Sequence, residues 1–121
     1  MTRKRVPASP GNFSKRFAEI SALYPPEDVA SYLRTQRRWV RRVTQLQISP
    51  IQRLVLIFIG TFMTPSRPFC FASVEYICKH VDCERTTVYR AVELAEKERF
   101  LRVDRKKRGG NVYRIRLPDG D

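Results

Sequence analysis

Two segments near the C-terminus alternate apolar and polar residues at the period of a β-strand, and a basic, glycine-containing stretch separates them. The segments are residues 100–105 and 112–117, and the stretch between them reads KKRGGN. Alternation on both sides of a short link with glycine predicts a β-hairpin. The fold of this chain must therefore end in a small antiparallel sheet with a basic tip.

Two helical segments precede this hairpin. The first opens at Ala72 or Ser73 and ends near residues 80–81, and after a short turn Asp82 is expected to cap a second helix over 84–97. On a helical wheel the second segment separates two arcs. One arc is apolar (Val88, Ala91, Val92, Leu94, Ala95), and the other is polar (Arg85, Thr86, Tyr89, Arg90, Glu93, Lys97). Arginine, threonine and tyrosine can all bond base edges or phosphates, so the polar arc is a candidate for reading DNA.

A third helix is predicted over residues 51–62, where the sequence is apolar almost all round. Ser49 and Pro50 provide an N-cap and a proline at the first helical position. Pro65 and Pro68 then impose a loop, and residues 69–71 form a short extended candidate. An apolar helix of this kind is typical of the centre of a small core.

The N-terminal third combines a basic arm with a helical extension. Residues 1–12 contain Arg3, Lys4 and Arg5 but almost no apolar bulk, which predicts a flexible arm. A short helix is expected over 13–23, ended by the prolines at 25 and 26, and a longer one over 29–46. The extension spans 13–48, and residues 118–121 form a tail.

The longer helix of the extension has an apolar side and a basic side. Its basic side holds five arginines (Arg34, Arg37, Arg38, Arg41, Arg42). We interpret them, with the arm, as candidate contacts to a DNA backbone, although a solvated face is the simpler alternative. The apolar side either packs on the downstream domain or pairs with its twin in a homodimer, and its spacing allows both.

The net charge indicates the class of partner. The 121 residues include 24 Lys and Arg but only 12 Asp and Glu, which gives a formal net charge of +12. Such a charge points to nucleic acid first and to an anionic membrane surface second. The length allows one small domain and excludes a multidomain enzyme. With no apolar run long enough to span a membrane and an odd number of cysteines, three, we expect a cytoplasmic, nucleoid-associated protein.

Residues 49–117 resemble the winged helix-turn-helix domains of bacterial, phage and plasmid regulators and replication initiators. The matching pieces are SPIQRLVLIFIGTFM, FASVEYICKHVDC and ERTTVYRAVELAEKERFLRVDRKKRGGNVYRIRL. The resemblance implies a mainly α-helical fold with a small β-hairpin wing. It departs at Cys83, where such domains often have serine, and at Glu98 and Arg99, where they usually have glycine. A residue with a side chain is therefore expected to take the left-handed conformation after the second helix.

The same resemblance assigns candidate DNA contacts. Those in the recognition helix are Arg85, Thr86, Thr87, Tyr89 and Arg90. Those in the wing are Arg105, Lys106, Lys107, Arg108 and Asn111. The first group would lie in the major groove, and the wing would hold phosphate or reach a minor groove.

The sequence gives only weak signals for metal binding and catalysis. Cys70, Cys78, His80 and Cys83 include zinc-ligand types, but their spacing is not that of a standard pair of zinc knuckles. One histidine, with no G-x-S-x-G and no phosphate-binding glycine loop, offers no catalytic constellation. The prediction is a non-enzymatic protein without a cofactor, metal or small-molecule ligand.

Together these features predict a sequence-specific, double-stranded DNA-binding protein. We expect a transcriptional regulator that acts as a dimer, through its N-terminal helices, by occupying repeat sites. A replication or partition module of a plasmid or phage would use the same contacts. A non-specific architectural binder, with the arginine helix providing most of the affinity, is the third alternative.

Overall fold

A computed structural model describes residues 10–105 and 110–118. Within them the chain forms five helices and a two-stranded sheet. These are α1 (Pro10–Leu23), α2 (Val29–Thr44), α3 (Pro50–Thr61), α4 (Val74–Val81), α5 (Arg85–Lys97), β1 (Leu101–Arg105) and β2 (Asn111–Ile115). The predicted fold class, mainly helical with a small hairpin, is confirmed. None of the helices in these ranges combines the length and hydropathy needed to cross a membrane.

Helix α3 is the centre of the core and packs against α2, α4 and α5. It begins as predicted: the Ser49 side chain accepts from the backbone of Gln52, and the Gln52 side chain accepts from the backbone of Ser49. This capping box satisfies donors that the first turn would otherwise leave unpaired. Val55, Leu56 and Ile59 of α3 are fully buried.

The turn between α4 and α5 closes the first helix rather than opening the second. Asp82 adopts a left-handed conformation with φ of 62°, and the backbone N–H groups of Asp82 and Cys83 both donate to the Cys78 carbonyl. Asp82 therefore ends α4, and the expectation that it caps α5 was wrong. The N-cap of α5 is Glu84, whose side chain makes no capping hydrogen bond. Ser73 caps α4 as predicted, accepting from the Tyr76 backbone at 3.0 Å.

The link from α5 to the hairpin contains the expected left-handed residue. Arg99 has φ of 66°, and the Phe100 N–H donates to the Ala95 carbonyl at 2.7 Å. This is the bonding of a helix end that normally favours glycine. Ala95 and Phe100 are both buried there, so an apolar contact accompanies the turn.

The hairpin pairs β1 with β2 in antiparallel register, from Leu101 opposite Ile115 to Arg105 opposite Asn111. Cys70 adds a short third segment, since its N–H and carbonyl bond the carbonyl and N–H of Tyr113 at 2.9 and 2.8 Å. The extended candidate at 69–71 therefore joins the sheet at Cys70. The predicted tip residues Lys106, Lys107 and Arg108 lie outside the described ranges.

Helix α2 packs on the downstream domain of the same chain, which is one of the two alternatives given for its apolar side. Trp39 is fully buried, and its Nε1 donates to the Phe100 carbonyl at 2.6 Å. Gly60 of α3 makes room for the ring, because a Cβ at that position would lie 2.6 Å from a ring carbon of Trp39. The Gln36 amide also donates to the Gly60 and Met63 carbonyls.

Helix α1 covers the outer side of the sheet through a second apolar cluster. The cluster comprises buried Ile20, Tyr24, Phe69 and Val112, with Phe17 and Phe71 packed against it. The Tyr24 hydroxyl donates to Asp104 of β1, and Arg114 of β2 pairs with Glu27 at 2.8 Å. α1 begins at Pro10, inside the segment expected to be an arm. Arg3, Lys4 and Arg5 lie outside the described residues.

Candidate nucleic-acid interface

The outer face of α5 presents four of the five side chains predicted as recognition-helix contacts to DNA. Arg85, Thr86, Tyr89 and Arg90 are exposed, whereas Thr87 is half-buried. The opposite arc (Val88, Ala91, Val92, Ala95) is buried against the core. Because the apolar arc fixes the rotation of the helix, the four exposed side chains point away from the domain together.

Arg85 is already oriented by two neighbours. One of its terminal nitrogens lies 2.8 Å from a Glu75 carboxylate oxygen, and the other donates to the Tyr89 hydroxyl at 3.2 Å. The hydrogen bond to Tyr89 and the charge of Glu75 raise the pKa of Arg85 above its ordinary value. The Arg85 and Glu75 side chains remain 58 % and 65 % exposed, so the pair is screened by water and can be exchanged for a base or a phosphate.

Sequence reasoning did not find Glu75. It lies in the first turn of α4, and its contact with Arg85 depends on how α4 crosses α5. The residues between them include a left-handed turn at Asp82, so no helical spacing connects the two side chains. A charged residue in a first turn is ordinarily explained by the helix dipole alone.

Arg90 differs from Arg85 because it makes no ion pair with any residue in the described ranges. It is exposed on the same outer face of α5. Tyr89 is 50 % exposed beside it, a high value for an aromatic side chain. The Arg90 guanidinium can therefore bind a ligand without first breaking an ion pair to a described residue.

Arg105, a predicted wing contact, is exposed and forms an ion pair with α5. Its two terminal nitrogens donate to the two carboxylate oxygens of Glu96, both at 2.8 Å. The bonds from Arg105 lower the pKa of the Glu96 carboxyl. This fork joins the end of β1 to α5. Glu96 is a second residue that sequence reasoning missed.

Asn111 occupies the other side of the wing, directly opposite Arg105 in the register. It is half-buried at the start of β2. Gly110, just before it, has φ of 83°, a conformation that favours glycine. The backbone therefore turns sharply where the chain re-enters the sheet.

The five arginines of α2 form a second basic surface. Arg34, Arg37, Arg38 and Arg41 are exposed, and Arg42 is half-buried. Their helix reaches the domain through α3 and the Trp39 to Phe100 bond. The α2 residues predicted to contact DNA therefore lie on a different helix from the exposed face of α5.

The cysteines and the histidine do not assemble into a metal site in the described part of the chain, where no group of three His, Cys, Asp or Glu side chains could hold an ion. Cys70 is buried in the sheet, and burial raises the pKa of its thiol to about 11. Cys78 and Cys83 meet at the end of α4, where burial and the neighbouring thiol raise the pKa of Cys83. The His80 ring lies against the Tyr76 carbonyl, with Nδ1 3.0 Å from the oxygen.

Comparison with known proteins agrees with this geometry. Residues 46–101 match the family model described as a helix-turn-helix domain. The match covers α3, α4 and α5 and ends where β1 begins. Searches of curated proteins and of solved structures gave no match. With the hairpin directly after the matched segment, the resemblance to winged helix-turn-helix domains is confirmed.

Proposed function

We propose that this winged helix-turn-helix protein is a sequence-specific regulator of transcription that acts by occupying sites on double-stranded DNA. A helix-turn-helix domain points to DNA binding and to a non-enzymatic role. The observation that supports sequence specificity is the exposed face of α5, where Arg85, Tyr89 and Arg90 stand together. Forked guanidinium groups are the side chains best suited to the O6 and N7 atoms of guanine.

The N-terminal half of α5 enters the major groove in this proposal. The groove is about 12 Å wide and accepts one α-helix. Arg85 and Arg90 then reach base edges, and Thr86 contacts a phosphate or a thymine methyl group. Glu75 keeps the guanidinium of Arg85 extended until a base replaces the carboxylate.

The wing provides contacts to the sugar-phosphate backbone. Lys106, Lys107 and Arg108 follow β1 directly and give the hairpin tip its positive charge. The ion pair between Arg105 and Glu96 sets the direction in which β1 leaves α5. Phosphate contacts of this kind fix the register of the recognition helix on the duplex but do not read sequence.

Dimeric binding to repeat sites stays a prediction. Packing on the domain buries Tyr32, Trp39 and Val43, the most bulky part of the α2 side that was considered for self-association. Occupancy requires only that each copy hold one site, and a repeat can place two copies side by side. Sedimentation velocity with and without a repeat-containing duplex measures whether the copies associate before binding.

The proposal is tested by selecting a preferred site from a random duplex pool. Affinity is then measured for the selected site and for random duplex. Arg90→Ala should cost about 1–3 kcal/mol on the selected site and little on random DNA. Lys107→Ala, the matched loss of a cation in the wing, should weaken both duplexes alike and reduce the salt slope by about one unit. Equal losses on both duplexes for both variants would contradict base reading and indicate a non-specific binder.

A further inference from the structure

The outer side of α2 has three exposed aliphatic side chains that the fold leaves uncovered. Val29, Leu33 and Val40 are 60 %, 44 % and 37 % exposed. At 100° per residue they fall within about 40° of one another and extend about 16 Å along the helix. We call these three residues the α2 stripe. Because buried Tyr32 and Trp39 occupy the neighbouring arc, the packing of α2 on the domain does not use the stripe.

Positive charge borders the stripe on the edge away from the domain. Arg34, Arg37 and Arg41 lie roughly 90° further around the helix, and all three are exposed. None of them forms an ion pair with another described residue. The sequence of α2 contains no aspartate or glutamate. An occupant of the stripe therefore meets apolar surface and an arginine row together.

A second copy of this chain fits this surface poorly. A two-fold interface places the same patch on both sides, so the arginine row of one α2 would face that of its twin. No carboxylate on either helix would offset the repulsion. Duplex DNA offers phosphates to the arginines but no apolar surface to the stripe, so its binding would leave the three aliphatic side chains in water.

We propose that the α2 stripe docks an acidic amphipathic helix of a partner protein. The partner's apolar residues, at helical spacing, cover Val29, Leu33 and Val40, and its Asp or Glu side chains pair with Arg34, Arg37 and Arg41. The partner is recognised through the apolar face of its amphipathic helix, with charge setting the orientation. It adds recruitment of a protein to the occupancy of DNA, on a surface that α5 does not provide.

Labelled synthetic peptides of about 18 residues, long enough to form a helix on binding, test the proposal with the full chain. The acidic probe has leucines along one helical face and glutamates along the adjacent edge. A second peptide replaces every glutamate with lysine, and a third scrambles the acidic sequence. Fluorescence anisotropy should show saturable binding of the acidic probe only.

Variants of the protein locate the binding surface. Leu33→Asp should weaken binding of the acidic probe by about tenfold or more, since a leucine that the bound peptide would cover is replaced by a charge facing glutamates. Leu54→Asp is the matched control, because Leu54 of α3 is 49 % exposed and lies outside the stripe. It should leave the affinity unchanged. Val40→Asp repeats the test at a second stripe position, and circular dichroism verifies that each variant is folded.

Charge reversal tests the arginine row separately. Arg37→Glu combined with Arg41→Glu should reduce binding of the acidic probe and create binding of the lysine probe. A scrambled peptide that binds as tightly as the acidic one, or no saturable binding of the acidic one, would overturn the proposal. The proposal would also be overturned if the parent protein were a dimer and Leu33→Asp made it a monomer. The α2 stripe would then be a self-association surface. A loss of duplex affinity in Leu33→Asp that equals the loss of probe affinity would assign the face to DNA instead.

Discussion

Arg105 of β1 and Glu96 of α5 form a forked ion pair with both nitrogen–oxygen distances at 2.8 Å. The pair spans the left-handed turn at Arg99 and connects the recognition helix to the wing. Arg105 is paired with Asn111 in the register of the hairpin, and its side chain reaches from the end of β1 to α5. The fork and the hydrogen bond from Phe100 to Ala95 both hold β1 against the end of α5.

Glu96→Gln should weaken DNA binding even though it removes a negative charge from a protein that binds a polyanion. Loss of the fork leaves the wing less well positioned, and an exposed ion pair of this kind is worth about 0.5–1 kcal/mol, or a two- to fivefold change. Glu93→Gln is the matched control, since Glu93 is exposed on the same helix and has no described ion-pair partner. It should bind DNA slightly more tightly. Tighter binding by both variants, measured by anisotropy, would contradict a positioning role for Glu96.

Arg85→Lys should keep affinity for random DNA and lose discrimination of the selected site. Lysine retains the charge that phosphates attract but cannot form the two parallel bonds of a guanidinium with guanine. The expected cost on the selected site is about 1–3 kcal/mol. Competition with random duplex gives the discrimination directly. If discrimination survives the substitution, Arg85 contacts phosphate and the base contacts lie elsewhere on α5.

Gly60→Ala should destabilise the protein through a clash with Trp39. The added Cβ would lie 2.6 Å from the ring, which is fully buried and hydrogen-bonded to Phe100 and cannot move away freely. Overpacking of this type costs about 1–3 kcal/mol. The measurement is urea unfolding of Gly60→Ala, of Trp39→Phe and of the double variant. The cost of Gly60→Ala should fall in the Trp39→Phe background, and strict additivity would show that the two side chains do not conflict.

Alkaline pH should weaken the contact between the N-terminal extension and the wing. Burial, together with the hydrogen bond to Asp104, raises the pKa of Tyr24 from 10.0 to about 12. Because the folded value is the higher one, the stability due to the neutral hydroxyl is complete below about pH 10 and is lost as the pH approaches 12. The difference in unfolding free energy between the parent and Tyr24→Phe should therefore shrink across this range. A difference that stays constant across this range would contradict a stabilising role of the neutral Tyr24 hydroxyl.

The elements with strong local signals could be predicted from the sequence. The N-cap at Ser49, the helix start at Ala72 or Ser73 and the alternation in both strands are each encoded within a few residues, and the structure contains all of them, with Ser73 as the cap of α4. The departure from the family pattern at Glu98 and Arg99 also predicted a left-handed residue with a side chain, and Arg99 takes that conformation. Short-range signals of this kind depend on backbone geometry rather than on tertiary packing.

The candidate site could be predicted only in part, because two of its contacts join separate elements. The wheel for α5 correctly separated the exposed Arg90 from the buried Val88. It could not show that Glu75 meets Arg85 across two helices or that Glu96 captures Arg105. Asp82 was misassigned for a related reason: aspartate suits both an N-cap and a left-handed helix end, and the choice depends on where α4 stops.

The bond between Trp39 and Phe100 has a practical consequence for studying the protein. Trp39 is the single tryptophan of the chain, and its indole sits at the junction of α2, α3 and the turn that leads into β1. Intrinsic fluorescence therefore reports on one place, the attachment of the N-terminal extension to the base of the wing. Circular dichroism averages over all helices, so comparing the two signals during unfolding shows whether the extension and the winged domain melt as one cooperative unit.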